Sequence, residues 1–484
     1  MPRVNPLLLA ATALVLLGAF VTAIAGRRSR RMRSASVAAT WIAFALAAAS
    51  LVLAAAYASD VVGSIFATLA LGVTGTVQLW SIRHLEGDPR ATRFFALSSV
   101  LASGLTVTAA APNAIVLAIG WVVASAAVIA LITLGGRTTQ TRVALRRTLV
   151  AFGIGDIALV AAVVTVTATP VTSLNELGAV GGAPALVVGI LVAIAAITRA
   201  ASVPLHGWLP ATLAAPTPVS AILHAGFVNA GALLLVRFAP LEAWTTPVIV
   251  GIAGGLTVVI AGSAMLTRPD VKGRLVHSTA AQMGFMLLAC AIGAWPLALL
   301  HVVGHALYKS YRFLAAGSAL LGEPSPSRAQ DADTRVLRSG VASAAAAIVV
   351  VIALIADSFS HPGGALVPFI AATVWIGVWA ATGGRGRSRW VIAAGVSGVA
   401  SGYVLLWAAV ENAFPLALGA AASPWLAVCV FVTAVLAGLA VSPAAPTAIR
   451  DYVYGAASGW GTSPAPPSHA ASLTEPVEYE RSSR

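Results

Sequence analysis

A chain of 484 residues that is 59% hydrophobic and only 9% charged holds more apolar surface than a soluble core of its size can bury, which marks a polytopic membrane protein. Its apolar runs are continuous and do not alternate, so a closed β-barrel is excluded. The net charge of +13 is spread over separate loops and not gathered on one face, which removes nucleic acid as a partner and leaves the lipid bilayer.

Each span needs about 20 apolar residues, so an all-α fold of about fourteen to fifteen transmembrane helices is predicted. The first covers residues 5–25 and ends in "AIA", a sequence that would suit a signal peptidase. The arginine cluster at 27–33 follows at once and reads as an anchor that keeps this helix in place. Further arginines recur at 83–93, 137–147, 268–274, 328–338 and 385–389, whereas the intervening loops carry Asp60, Glu176, Glu242, Asp357 and Glu411. The positive-inside rule puts the arginine loops in the cytoplasm and the amino terminus outside. An odd number of crossings then brings the carboxyl terminus inside.

Asp60 stands at the outer end of a helix, where it serves either as an interfacial cap or as a functional group. Asp156, in "GIGDIALV", lies deeper and calls for an arginine or histidine from another helix. Arg199 cannot deprotonate; it either snorkels to the interface or supplies a fixed positive charge near the histidines and carboxylates. It opens "RAASVPLHGWLPATLAAPTPVSAILHAGF", which holds Pro204, Pro210, Pro216 and Pro218. Prolines remove backbone donors and clash with the preceding turn, so a discontinuous helix is predicted. Such breaks survive at membrane depth only against protein or a water-filled cavity, and transporters place ion sites there.

Five of the eight histidines, His206, His224, His277, His301 and His305, fall between 199 and 320. In "LLHVVGHALYKSYRFLAAGS" the residues His301, His305 and Lys309 are four apart. That spacing makes a ladder of about 12 Å on one helix face. Histidine titrates in the range a proton relay needs, while polar packing and a metal site remain the other uses of such a stripe. The same face has no carboxylate or cysteine to complete a metal site. Lys309 is one of only two lysines, with Lys272, among 29 basic residues. An amine can lose its proton where a guanidinium cannot.

Cys290 and Cys429 lie in apolar helices without zinc-ligand spacing, so neither a disulfide framework nor a bound cofactor or metal is expected. Residues 322–335 form a polar insert. The transmembrane domain extends over 1–441, and 442–484 lose apolar periodicity and read as a mostly disordered cytoplasmic tail.

The segments "RAASVPLHGWLPATLAAPTPVSAILHAGFVNAGALLLVRFAPL", "DVKGRLVHSTAAQMGFMLL" and "LLHVVGHALYKSYRFLAAGS" resemble the antiporter-like membrane subunits of respiratory complex I and of Mrp-type cation/proton antiporters. The match is best over 80–320. Within that superfamily "HAGFVNAGALLLVRFAPL" is more similar to the DabB family, membrane subunits of Dab inorganic carbon accumulation systems. The resemblance implies a subunit of the bacterial plasma membrane that conducts ions, in all expectation protons. It also implies a DabA-type partner similar to zinc-dependent β-carbonic anhydrases, on which ion flow drives hydration of CO2 to bicarbonate. The zinc chemistry then belongs to the partner, and this chain is not itself an enzyme. A cation/proton antiporter or NADH–quinone oxidoreductase subunit, and a non-conducting anchor for a soluble enzyme, are the alternatives.

In complex I and Mrp subunits a glutamate usually follows the tryptophan of a mid-chain helix, and a lysine precedes the broken helix. Here Val122 follows Trp121, and Arg199 stands in the lysine's place. The resemblance therefore implies loss of that pair, with His224, His301, His305 and Lys309 left as the pathway, Arg199 as an electrostatic modulator and Asp156 as its candidate partner.

Overall fold

The computed structural model describes residues 5–25, 30–57, 59–268, 270–316, 332–355 and 388–413, with single positions between 367 and 378. Among the described residues all regular structure is helical, in agreement with the all-α expectation. The amino-terminal half comprises α1 (Pro6–Ala25), α2 (Arg30–Ala56), α3 (Val61–His84), α4 (Ala91–Ala109), α5 (Ala114–Ile132), α6 (Thr139–Thr167) and α7 (Gly182–Arg199). An interrupted region follows, with α8 (Trp208–Ala211), α9 (Thr217–Ala225) and α10 (Ala230–Arg237). Then come α11 (Thr245–Thr267), α12 (Val271–Ala291), α13 (Trp295–Ala315), α14 (Ala332–Ile355) and α15 (Ser388–Ala413).

Eight spans among the described residues are long and apolar enough to cross a membrane. Helices α12 and α13 have the length, 21 residues each, but their polar load sets them apart: Lys272, Arg274 and His277 on one, and His301, His305, Lys309 and Arg312 on the other. The polar insert at 322–331, Asp357, Cys429, the 442–484 tail and the remaining expected spans lie outside the described residues.

Sequential helices pack as neighbours, α1 on α2, α2 on α3, α4 on α5, α6 on α7 and α11 on α12. Lipid offers no hydrophobic drive between helices, so close backbone approach through small residues does much of the holding. At the α4–α5 crossing a Cβ on Gly120 would stand 2.6 Å from the Thr108 amide nitrogen and 2.7 Å from the Gly104 carbonyl oxygen. Gly120→Val must therefore push the two helices apart. Its expected cost is about 1–3 kcal/mol, as for other overpacked interiors, read as a lower unfolding midpoint of the purified protein.

The predicted break is present. Helix α7 stops at Arg199, and residues 200–207 contain no helix before the single turn of α8. Pro218 sits in the first turn of α9, where its missing N–H costs nothing. The helix is interrupted again over Gly226–Asn229, where a 3₁₀ turn separates α9 from α10; the prolines gave no warning of this second break. Side chains satisfy the freed backbone: Trp208 Nε1 donates to the Thr198 carbonyl at 2.9 Å. Thr257 Oγ1 on α11 accepts from Val203 N at 2.9 Å. Lys272 Nζ donates to the carbonyls of Leu213 and Ala215 at 2.8 and 2.9 Å, so one of the two lysines of the chain closes the end of the broken segment.

Asp60 takes the capping role and adds an ion pair to it. Its Oδ1 accepts from the Gly63 amide at 2.9 Å as the N-cap of α3, and its Oδ2 accepts from Arg237 Nη2 at 2.5 Å. Arg237 also donates to the Ala109 carbonyl, which ties the ends of α3, α4 and α10 together.

Candidate functional site

Two clusters of ionisable groups flank the broken helix. The first is built around Arg199, whose residue is 1% exposed; of its two readings the side chain takes the buried, paired one and does not snorkel. Nη2 donates to Asp156 Oδ1 on α6 at 3.1 Å and to Ser125 Oγ on α5 at 2.7 Å. Asp156 Oδ1 also accepts from Trp121 Nε1 at 2.8 Å and from Ser125 Oγ at 3.0 Å. The guanidinium carbon lies 3.8 Å from the Trp121 ring centre, 4.4 Å from Phe227 and 5.1 Å from Phe152, an aromatic cage that suits a planar cation. Phe227 comes from the second break, so that turn positions one wall of the cage.

Asp156, the candidate partner named from the sequence, is the residue that Arg199 meets. Loss of the glutamate at Val122 does not leave the Arg199 cation without an acid, because the carboxylate arrives from α6 as Asp156. Val122 itself is 41% exposed and turns away from the cluster. The face of α5 that meets Arg199 is the one carrying Trp121 and, four residues on, Ser125, one helical step apart.

The second cluster is the α13 ladder seen against α12. The two helices run antiparallel, and polar groups meet in register. Lys309 Nζ donates to the Leu275 carbonyl at 3.0 Å and to Ser278 Oγ. One turn along, His305 Nδ1 lies 2.6 Å from Gln282 Oε1. A further turn brings His301 to Phe285, ring centres 5.0 Å apart. Lys309 and His305 are buried, and the rings of His305 and His301 are 5.9 Å apart. The predicted stripe on one face is thus present, with rungs supplied by Ser278 and Gln282. Sequence reasoning missed those two residues, although their spacing of four in an apolar helix was the available signal.

His305 joins the ladder to the broken helix, since its Nε2 lies 3.0 Å from the His224 carbonyl oxygen. His224 is fully buried on α9, stacks on Phe313 at 4.5 Å and has no hydrogen-bond partner on either ring nitrogen. His277 on α12 and His206 in the break each also carry one buried ring nitrogen without a partner. A neutral imidazole has one N–H and an imidazolium two. With Nε2–H given to the His224 carbonyl, His305 donates to Gln282 Oε1 only when protonated, and the neutral ring pairs with the amide turned to present its NH2. Rotation of Gln282 and protonation of His305 are therefore linked.

An all-helical membrane bundle whose interrupted helix faces a buried arginine–aspartate pair and a histidine–lysine ladder defines an antiporter-like membrane subunit. The chain belongs to the family described as NADH:quinone oxidoreductase/Mrp antiporter, TM, which matches residues 111–358. Within it the similarity to DabB subunits, read above from the "HAGFVNAGA" segment, is borne out. A protein of Halothiobacillus neapolitanus named a probable inorganic carbon transporter subunit DabB1 is 34% identical over 278 residues, 54% of this chain and 49% of that one. A DabB of Hydrogenovibrio crunogenus, likewise named probable, is 53% identical over 131 residues, 27% of this chain and 25% of that one. The chain spans about half the length of the longest-matching of these curated relatives. In fold it resembles the Mrp complex from Dietzia sp., with a TM-score of 0.58 at 22% identity over 94% of this chain and 52% of that one.

Proposed function

We propose that the chain is the proton-conducting membrane subunit of an inorganic carbon accumulation complex. In this reading it energises a DabA-type, zinc-binding, carbonic-anhydrase-like partner in a bacterial plasma membrane. On the same reading the amino terminus faces out and the carboxyl terminus faces the cytoplasm, the orientation that the positive-inside rule favours for the arginine loops together with an odd number of crossings. Protons pass along His301, His305 and Lys309, with His224 at the junction, and the Arg199–Asp156 pair modulates the path electrostatically.

The observation that carries this reading is His305, held between Gln282 and the His224 carbonyl where the ladder meets the interrupted helix. An ionisable group inside a membrane costs about 2.5–3.5 kcal/mol on insertion scales, so a buried line of them with protonation-dependent partners asks for a function. The names of the DabB relatives support the inorganic carbon part of the proposal.

The test is co-expression with a DabA-type partner gene in a strain that needs high CO2. Growth in air is expected from the parent pair and from neither gene alone, and its absence with both genes present sinks the carbon assignment. The family description favours one second reading, a cation/proton antiporter or quinone oxidoreductase subunit. Gene neighbours separate the two: a run of respiratory or Mrp subunits marks the second, a single large zinc protein the first. If the complex forms and stays active but is indifferent to an uncoupler, the chain is a non-conducting anchor.

A further inference from the structure

His206 and His277 are the two histidines between 199 and 320 that the path along α13 and α9 leaves unused. Both stand near the arginine loops. His277 lies within the first two turns of α12, which opens at Val271 behind its cap Asp270. His206 lies in the break after α7, and Leu205 and Gly207 on either side of it line a surface crevice with Arg146 and Arg147 of α6. In the proposed orientation these loops face the cytoplasm, so the two imidazoles lie between that side and the ladder.

Three observations join them to the path. His277 is 4% exposed and His224 fully buried, and Nδ1 of His206, Nε2 of His277 and both ring nitrogens of His224 are buried without a hydrogen-bond partner among the described residues. A charge on His277 acts on His206 and on His224, which sets His277 between the other two. Lys272 in the first turn of α12 donates to the Leu213 and Ala215 carbonyls, so the start of α12 is pinned to the segment that links His206 to His224. The other charges that face the three rings are Arg147 for His206, Arg268 and Asp270 for His277, and Lys309 and Lys272 for His224.

A histidine that serves only as packing is expected to have its buried nitrogens hydrogen-bonded. Interior water completes such groups where two or more polar atoms converge, and the ring nitrogens of three neighbouring histidines provide them. We propose that His206 and His277 form the cytoplasmic inlet of the proton path, passing protons through bridging water to His224 and so to Lys309 and His305. This inlet presupposes that the chain conducts protons. Each imidazole takes a proton on one nitrogen and releases one from the other, so the ring changes tautomer and no bond other than N–H and O–H is made or broken. Repulsion between neighbouring imidazolium charges disfavours two protonated rings side by side and sends the proton onward. The inlet delivers it to His224, whose carbonyl oxygen lies 3.0 Å from His305 Nε2.

The test uses the full chain reconstituted in vesicles that hold a pH-sensitive dye. His277→Ala and His206→Gln should each cut proton flux about 10²-fold, the contribution typical of a positioned proton carrier, with the unfolding midpoint close to the parent. Added imidazole should restore much of the flux in His277→Ala, because a diffusible ring replaces a lost carrier and does not repair a packing defect. Should His277→Ala fold poorly, His277→Gln keeps nearly the same volume and is expected to lose flux alike. Access is read separately, in a chain with Cys290 and Cys429 replaced by alanine. There His277→Cys should react with a charged, membrane-impermeant thiol reagent applied from the cytoplasmic side and resist it from the outer side. Unchanged flux in both histidine variants while Lys309→Ala abolishes it overturns the inlet and leaves the ladder standing. A loss in His277→Ala that imidazole does not rescue makes these histidines structural and overturns the inlet as well, as does labelling of position 277 from the outer side alone. A parent chain that passes no protons sinks the conducting reading itself, and the inlet with it.

Discussion

Asp156→Ala is expected to lower the stability of the purified protein by about 3–5 kcal/mol, the range measured when one member of a buried ion pair is removed. The reason is the position of Arg199. Its guanidinium stays charged at any accessible pH, it is 1% exposed, and the carboxylate it loses also accepts from Trp121 and Ser125. The three aromatic rings around it offset part of the loss, at about 0.5–2 kcal/mol for a cation over a ring face. Asp156→Asn keeps the acceptor oxygen and should cost less than Asp156→Ala. Removing both charges together in Asp156→Leu with Arg199→Met takes away the unpaired cation, and most of the lost stability should return. Unfolding monitored by tryptophan fluorescence in detergent measures all three against the parent. Should Asp156→Ala unfold at the same midpoint as the parent, the pair does not hold α6 to α7.

The pair also shows where the sequence was legible and where it was not. The interruption after Arg199 could be read from Pro204, Pro210, Pro216 and Pro218, because a proline acts on its own backbone and needs no neighbour to reveal itself. The ladder of His301, His305 and Lys309 could be read because a spacing of four is a property of one helix. Asp156 could be named as the candidate partner of Arg199, 43 positions away, because a carboxylate at membrane depth needs a counter-charge; that Trp121 and Ser125 complete its hydrogen bonds could not be read from a local pattern. Attention fixed on position 122 because it follows Trp121, whereas the helix presents positions 121 and 125 to the core and turns 122 outward. The rungs Ser278 and Gln282 were hidden for the same reason: antiparallel register between α12 and α13 is a tertiary fact. The second break at Gly226–Asn229 has no proline at all and depends on what packs around it, with Phe227 against Phe152 and Trp208.

Lys309→Ala should reduce proton flux in reconstituted vesicles by about 10²-fold or more, the typical contribution of a positioned proton-transfer group. The more informative substitution is Lys309→Arg. It keeps a positive charge and donors for the Leu275 carbonyl and Ser278 Oγ, but a guanidinium does not release its proton. A relay in which Lys309 gives up and regains a proton is stopped by arginine as firmly as by alanine. A role confined to fixed charge, tuning His305 from one turn away, survives it. Both variants leave His305 with Gln282 and the His224 carbonyl, so His305→Gln provides the matched control at the next rung: it retains hydrogen-bonding capacity and loses the imidazole that can carry a second proton. The ladder predicts parallel loss of flux in all three, with assembly and unfolding midpoint close to the parent in Lys309→Arg and His305→Gln. Flux retained in Lys309→Arg and lost in His305→Gln would make the histidines the carriers and the lysine their electrostatic support. Flux retained in both would place the pathway elsewhere in the bundle.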